Sequence, residues 1–356
     1  MKVRFKNVLG GYLSLMGSAL DGTIPILGGI LLETGEGKLT MTATNLELGV
    51  RLEIPAEVEK EGKVVVGGKK FVNLLRIAKD EVEVEADEGV VKVKAEARYK
   101  IGAMDYRDYP EVELADEWQE VDGKELQKGL KAVFPAVSND PARYVLNGVY
   151  LGEGEVVATD GHHMAVYSVS LKVSGVIVPR KAVQKVSDFL QKVESAKVSV
   201  KGNKFFVEGR EGEIRGIVWS TLIEGEYPDY RSVFPDEYLF TVEAEKEELT
   251  ATLKEAMAIF EKKDAVPVEV IAGTQGGLTL RAFSSDEDKS DEVEVSIGAE
   301  VKGMPFKVVL NGLHLFNLLK GMESSCAVLK FSGDRTPVFV EGKNGKVKGL
   351  LMPMLV

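Results

Sequence analysis

"VLNGVYLGEGEVVATDGHHMAVY" (residues 145–167) holds an apolar strand, a Gly turn and an alternating strand, then an Asp-Gly turn before a third apolar run. Its first part recurs twice, as "ILGGILLETGEGKLTMTATN" (26–45) and "VPVEVIAGTQGGLTLRAFSS" (266–285). A second marker, a short β run opening a helix, stands at 63–80, 175–193 and 306–322. A third closes each segment: Tyr109-Pro110, Tyr227-Pro228 and Met352-Pro353. The order of markers is the same in every third. The period is far longer than a solenoid unit, so the chain reads as three copies of one domain, 1–116, 117–237 and 238–356. Within each copy, period-two alternation at 82–101, 198–219 and 327–352 predicts antiparallel hairpins, and two segments carry helical spacing. The fold class is α+β.

The bulk composition fits this reading. The chain has 356 residues, 44% hydrophobic and 28% charged, enough for several cores. A single cysteine, Cys326, excludes an internal disulfide. Near the N-terminus, Phe5, Val8, Leu9, Tyr12, Leu13 and Met16 recur at helical spacing, which breaks up any signal-peptide apolar run. No stretch approaches 18 apolar residues, so a soluble cytoplasmic protein with no membrane partner is expected.

Net charge is −11, which by itself disfavours a nucleic-acid partner. The bases are not evenly spread, however. A helix over 123–138 presents Lys124, Lys128 and Lys131 opposite its apolar face, and one over 180–194 presents Lys181, Lys185 and Lys192. The helix of 69–79 carries Lys69, Lys70 and Arg76. Acids gather in strands and loops, most plainly at 80–88 and 285–295. Charge alone leaves two readings open: ordinary solvated helix faces, or a surface that meets phosphates without reading sequence.

"TDGHHM" has the look of a catalytic or metal centre. Zinc needs three or four protein ligands, and adjacent side chains on a strand face opposite ways, so His162 and His163 do not readily share an ion. H-E-x-x-H, G-x-S-x-G and P-loop patterns are all missing. The expectation is no catalytic residue, no metal and no cofactor. Asp160-Gly161 reads as a turn, and the apolar run after it as a binding surface.

These residues resemble the bacterial sliding clamp family, the β subunit of DNA polymerase III. The resemblance rests on 145–167, "PILGGILLETGEGKLTMTATNLELGV" (25–50), "GEYPDYRSVFP" (225–235) and "MPM" (352–354), in order along all three repeats. It implies three clamp domains per chain, and a head-to-tail homodimer forming a six-domain ring with helices lining the hole. The ring would encircle double-stranded DNA, with Lys69, Arg76, Lys124, Lys128, Lys131, Lys181, Lys185 and Lys192 facing the duplex. DNA polymerase, clamp loader and repair proteins would dock a short peptide in a cleft. The matching positions are Leu146, Thr159, Gly161, His162, His163, Met164, Pro228, Ser232, Val233, Leu350, Met352, Pro353 and Met354. The dimer contact would set Lys70, Leu74, Tyr99 and Ile101 against Ile259 and Phe260. Three departures stand out. His163, Ser232 and Leu355 occupy places where family members carry arginine, which predicts a weaker preference for acidic peptide residues. A diverged clamp copy serving a dedicated polymerase is the alternative; a His/Asp metal-dependent hydrolase is the distant one.

Overall fold

Alternating stretches become antiparallel strands throughout the computed structural model, which describes all residues except 88, 236, 261–264, 273–276, 285–290, 304, 334, 344 and 356. Much of the acidic run 285–295, and the turn in the third copy of the first marker (266–285), therefore lie outside the described residues. Six α-helices occur among the described residues, two in each third of the chain. They are α1 (Leu13–Ser18), α2 (Gly68–Ile77), α3 (Gly123–Val133), α4 (Arg180–Leu190), α5 (Lys246–Ala256) and α6 (Gly312–Gly321).

The chain packs as two compact units, Met1–Gln127 with Lys181–Leu222, and Lys128–Arg180 with Ile223–Val356. The second sequence repeat is thus shared between them. Strand pairing explains why. In the first unit Ile214–Thr221 pairs with Leu48–Pro55, from Arg215 opposite Glu53 to Ser220 opposite Leu48. In the second, His163–Ser168 pairs with Val347–Leu351. Backbone N–H and C=O groups at a strand edge need partners wherever those lie in sequence, so ladders run past the repeat boundaries.

A thirteen-stranded sheet dominates the first unit. Trp219 lies over Gly49, where any Cβ would stand 1.9 Å from the ring. Phe206, Ile217 and Ala115 complete that cluster beneath Val112, Leu114 and Trp118. The expected N-terminal helix is mostly replaced: Lys2–Lys6 is a strand paired with Glu81–Asp87, and α1 begins only at Leu13. Val3 and Phe5 share one buried face at period two. Gly10 and Gly11 separate strand from helix, and the Lys192 side chain lies over Gly11.

The second unit holds a nine-stranded and a four-stranded sheet. Among the nine, Gly148–Gly152, Glu155–Thr159, His163–Ser168, Val347–Leu351 and Val338–Gly342 are consecutive neighbours. The helix expected over 123–138 is α-helical only to Val133 and closes with a 3-10 turn at Phe134–Ala136. Pro135 has no N–H to continue the ladder. Likewise α4 ends at Leu190 rather than 194.

Candidate functional site

The stretch 155–168 forms a hairpin in the second unit, Thr159 opposite Met164. Side chains lock its turn. Asp160 Oδ1 accepts hydrogen bonds from the backbone N–H of His162 and of His163, each at 2.8 Å. Thr159 Oγ1 accepts from Gly161 N–H and donates to His163 C=O. Gly161 sits at φ +88°, and a Cβ there would stand 2.5 Å from Arg143 Nη1. That guanidinium donates to Asp160 C=O at 2.9 Å.

The first unit contains the same turn without the histidines. Asn45 Oδ1 accepts from Glu47 and Leu48 N–H, and Thr44 Oγ1 bridges Leu46 N–H and Leu48 C=O. Leu46 takes the left-handed place of Gly161, at φ +76°. The repeat relation read from 26–45 and 145–160 therefore extends to individual hydrogen bonds, and the histidines are an addition to it.

The hairpin's outer strand continues into the chain's C-terminal segment. His163 stands opposite Leu351 and Met164 opposite Leu350. Beyond the ladder, Met352 N–H donates to His162 C=O and Met354 N–H to Val309 C=O, both at 2.8 Å. Met352 is exposed, while Pro353 and Met354 are half-buried. Leu146, Met164 and Leu350 meet in one buried cluster with Tyr227, Tyr230 and Phe339. Tyr227 stacks on Tyr150, ring centroids 4.8 Å apart. The segment after it carries Pro228, Ser232 and Val233, all exposed, with Ser232 Oγ donating to Asp229 C=O. All thirteen residues expected in a docking cleft thus belong to the second unit, and Leu146, Met164 and Leu350 share its core cluster.

Three neighbours were not anticipated from sequence. Glu155, buried, accepts from the Tyr230 hydroxyl and from Arg231, which pins the 227–233 segment to the hairpin. Burial opposes ionisation of Glu155, but those two donors outweigh it and its carboxyl titrates below the usual value. Arg143 brings positive charge beside the turn. The third is His314, in the first turn of α6, whose ring stacks on His163. The sequence signal for all three was weak: each is a single polar residue whose partner is set by folding.

His162 lies in the turn and His163 opens the strand, and the two differ in burial. His162 is exposed; the His163 side chain is only 5% exposed, its Nδ1 3.0 Å from Asp160 Oδ2. That approach is poorly aligned, and neither His163 ring nitrogen makes a well-formed hydrogen bond. Burial disfavours charge on Asp160, yet the neighbouring His163 ring and the two backbone N–H groups hold its carboxyl well below the ordinary range. Burial first, and His163 second, push His314 down to about 4, so it is neutral at pH 7.

The basic positions lie on solvent faces. Lys69 and Arg76 are exposed on α2, as are Lys124, Lys128 and Lys131 on α3 and Lys181 on α4; Lys185 and Lys192 are half-buried. In the second unit Lys128 and Lys131 line a groove of about 500 Å³ with Lys320, Asn317 and Tyr167. Lys128 is paired there with Glu323 at 2.6 Å. Of the positions expected at a dimer contact, Lys70 and Ile259 are exposed and Tyr99 and Phe260 half-buried. Leu74 and Ile101 are buried in the first unit's own core.

Three family descriptions match in order: DNA polymerase III beta subunit N-terminal domain over residues 20–113, central domain over 120–229 and C-terminal domain over 231–355. This chain belongs to the DNA polymerase III beta subunit family. Among beta-subunit relatives, the beta sliding clamp of Vibrio cholerae is 28% identical over 339 residues, covering 90% of this chain and 89% of that one. The beta sliding clamp homolog GriR of Streptomyces muensis is 24% identical over 347 residues, covering 92% and 89%. The fold matches the crystal structure of the Bacillus subtilis DNA polymerase sliding clamp with a TM-score of 0.90 at 19% identity, covering 100% of this chain and 99% of that one. The beta-subunit fold is therefore present in full, as three clamp domains of mixed helix and antiparallel sheet. No helix among the described residues is long and apolar enough to cross a membrane.

Proposed function

We propose that this protein is a DNA sliding clamp, a non-catalytic processivity subunit that encircles duplex DNA and tethers the replicative polymerase and other replication and repair proteins. The observation that carries this reading is the ordered match of all three beta-subunit domains from residue 20 to 355. The working form is a head-to-tail homodimer. One patch meeting a different patch generates a closed ring when the rotation closes. The domains run 1–116, 117–237 and 238–356, and the protein works in the cytoplasm.

Roles follow by position. Exposed lysines on α2, α3 and α4 supply sliding contacts to phosphate that are independent of sequence. The hairpin turn, the 228–233 segment and the C-terminal Met352–Met354 form the peptide-docking cleft. Lys70, Leu74, Tyr99 and Ile101 face Ile259 and Phe260 across the ring contact, with Leu74 and Ile101 acting from beneath as support. Light scattering tests the assembly: a mass of two chains is expected, and Ile259→Ala with Phe260→Ala should shift it to one. A wild-type monomer or trimer would overturn the ring.

A second reading, a diverged clamp copy serving a dedicated polymerase, is favoured by His163, Ser232 and Leu355 at the places of family arginines. Peptide scanning separates the two. A housekeeping clamp should bind the peptides of the general replicative polymerase, whereas a dedicated copy should reject them and bind one partner's peptide.

A further inference from the structure

His163 is buried, its Nδ1 near Asp160 Oδ2 but poorly aligned with it and its Nε2 without a hydrogen bond. A polar group poorly satisfied inside a protein is costly, so its presence asks for a reason. Turn formation does not supply one, because the matching turn at Thr44–Leu48 has leucine in the place of His163. Asp160 divides its oxygens: Oδ1 serves two backbone N–H groups, while Oδ2 is turned toward His163. From the other side α6 delivers the His314 ring, 3.8 Å from that of His163. One donor atom from each of these three residues lies within 4.8 Å of the others.

We propose that Asp160, His163 and His314 form a binding site for a divalent transition metal of the zinc class, with one coordination position left open. Two imidazole nitrogens and one carboxylate oxygen are the donor set such an ion prefers, whereas calcium and magnesium demand oxygen. A neutral imidazole and an ionised carboxylate are the forms in which these side chains ligate, so binding would release protons at low pH. The ring planes are 17° from parallel, so their lone pairs run side by side rather than converging. Capture therefore requires rotation of His314, the more exposed ring, to bring the donors to about 3.3 Å separation around an ion with bonds of about 2.0–2.1 Å. The bound ion would join the 155–168 hairpin to the first turn of α6. His163 also belongs to the proposed docking cleft, but metal binding is tested without a peptide.

Chelator-stripped full-length protein is titrated with Co²⁺, read by visible absorption, and with Zn²⁺, read by calorimetry. One ion per chain is expected, with the intense bands of tetrahedral cobalt. His314→Phe keeps a flat ring against His163, and Asp160→Asn keeps an acceptor for the turn; each should weaken binding at least tenfold. Circular dichroism verifies that each variant is folded, and either variant alone suffices if the other is not. No stoichiometric binding by the wild type, or full-strength binding by a folded variant, would overturn the proposal.

Discussion

His163 and His314 lie face to face, ring centroids 3.8 Å apart, one on the outer strand of a hairpin and the other on the first turn of α6. The contact ties two sequence repeats together at the point where the C-terminal segment leaves its ladder. Its consequences are electrostatic as well as steric, because two stacked imidazoles resist carrying two charges.

Stability should depend on pH through His314. Its folded pKa of about 4 lies below the unfolded value of 6.5, so the unfolded chain takes up the proton first. The contribution is intact above about pH 6.5, declines as pH falls toward 4 and levels off below that. Asp160 acts lower: its folded pKa is depressed, so what it contributes is present above its unfolded value of 3.8 and is lost only in stronger acid. Urea unfolding of metal-free protein should lose about 2 kcal/mol between pH 7 and 5 by linkage. His314→Phe should flatten that slope; an unchanged slope would assign the effect to other groups.

A side chain at Gly161 is disfavoured for two reasons. Its φ of +88° is unfavourable for an L residue, and Arg143 occupies the Cβ direction. The equivalent Leu46 shows that the backbone strain alone is survivable. Gly161→Ala should therefore cost about 1–2 kcal/mol in denaturant unfolding. Combining it with Arg143→Ala should recover part of that loss.

Glu155 organises the segment that carries Pro228, Ser232 and Val233. Glu155→Ala removes the acceptor for Tyr230, whose hydroxyl is otherwise buried, and should cost about 1–3 kcal/mol. Peptide affinity should fall with it. Arg231→Ala, which removes an exposed partner from the same carboxylate, should cost clearly less in both measurements.

The lysine groove on α3 makes a directional test of DNA contact. Charge reversal at Lys128 and Lys131 should speed loss of the ring from linear DNA and reduce the dependence of retention on salt. Glu323→Gln releases Lys128 from its ion pair and should act in the opposite direction. Equal retention by all three proteins would remove these lysines from the DNA-facing set.

Much of this protein was legible in one dimension because its rules are local or periodic. Strand alternation, paired helices and a thrice-repeated order of markers gave three α+β copies. The Thr-Asp-Gly turn could be read directly, since short side chains cap their own backbone. Local reading failed where periodicity was ambiguous. Phe5 fits a helical stripe and a strand face equally well, and pairing with Glu81–Asp87 decided for the strand.

Tertiary structure decided what depends on distant partners. Sequence presented Asp160 with two adjacent histidines, and folding left His162 exposed in the turn while His163 opens the strand and is buried. Only folding brought His314 onto His163, Arg143 onto the turn and Glu155 beneath Tyr230. Only strand pairing carried the ladders across repeat boundaries, dividing the second repeat between two compact units. Such contacts leave no spacing in the chain, because long-range hydrogen bonding and burial select partners by position in space, and sequence separation does not enter.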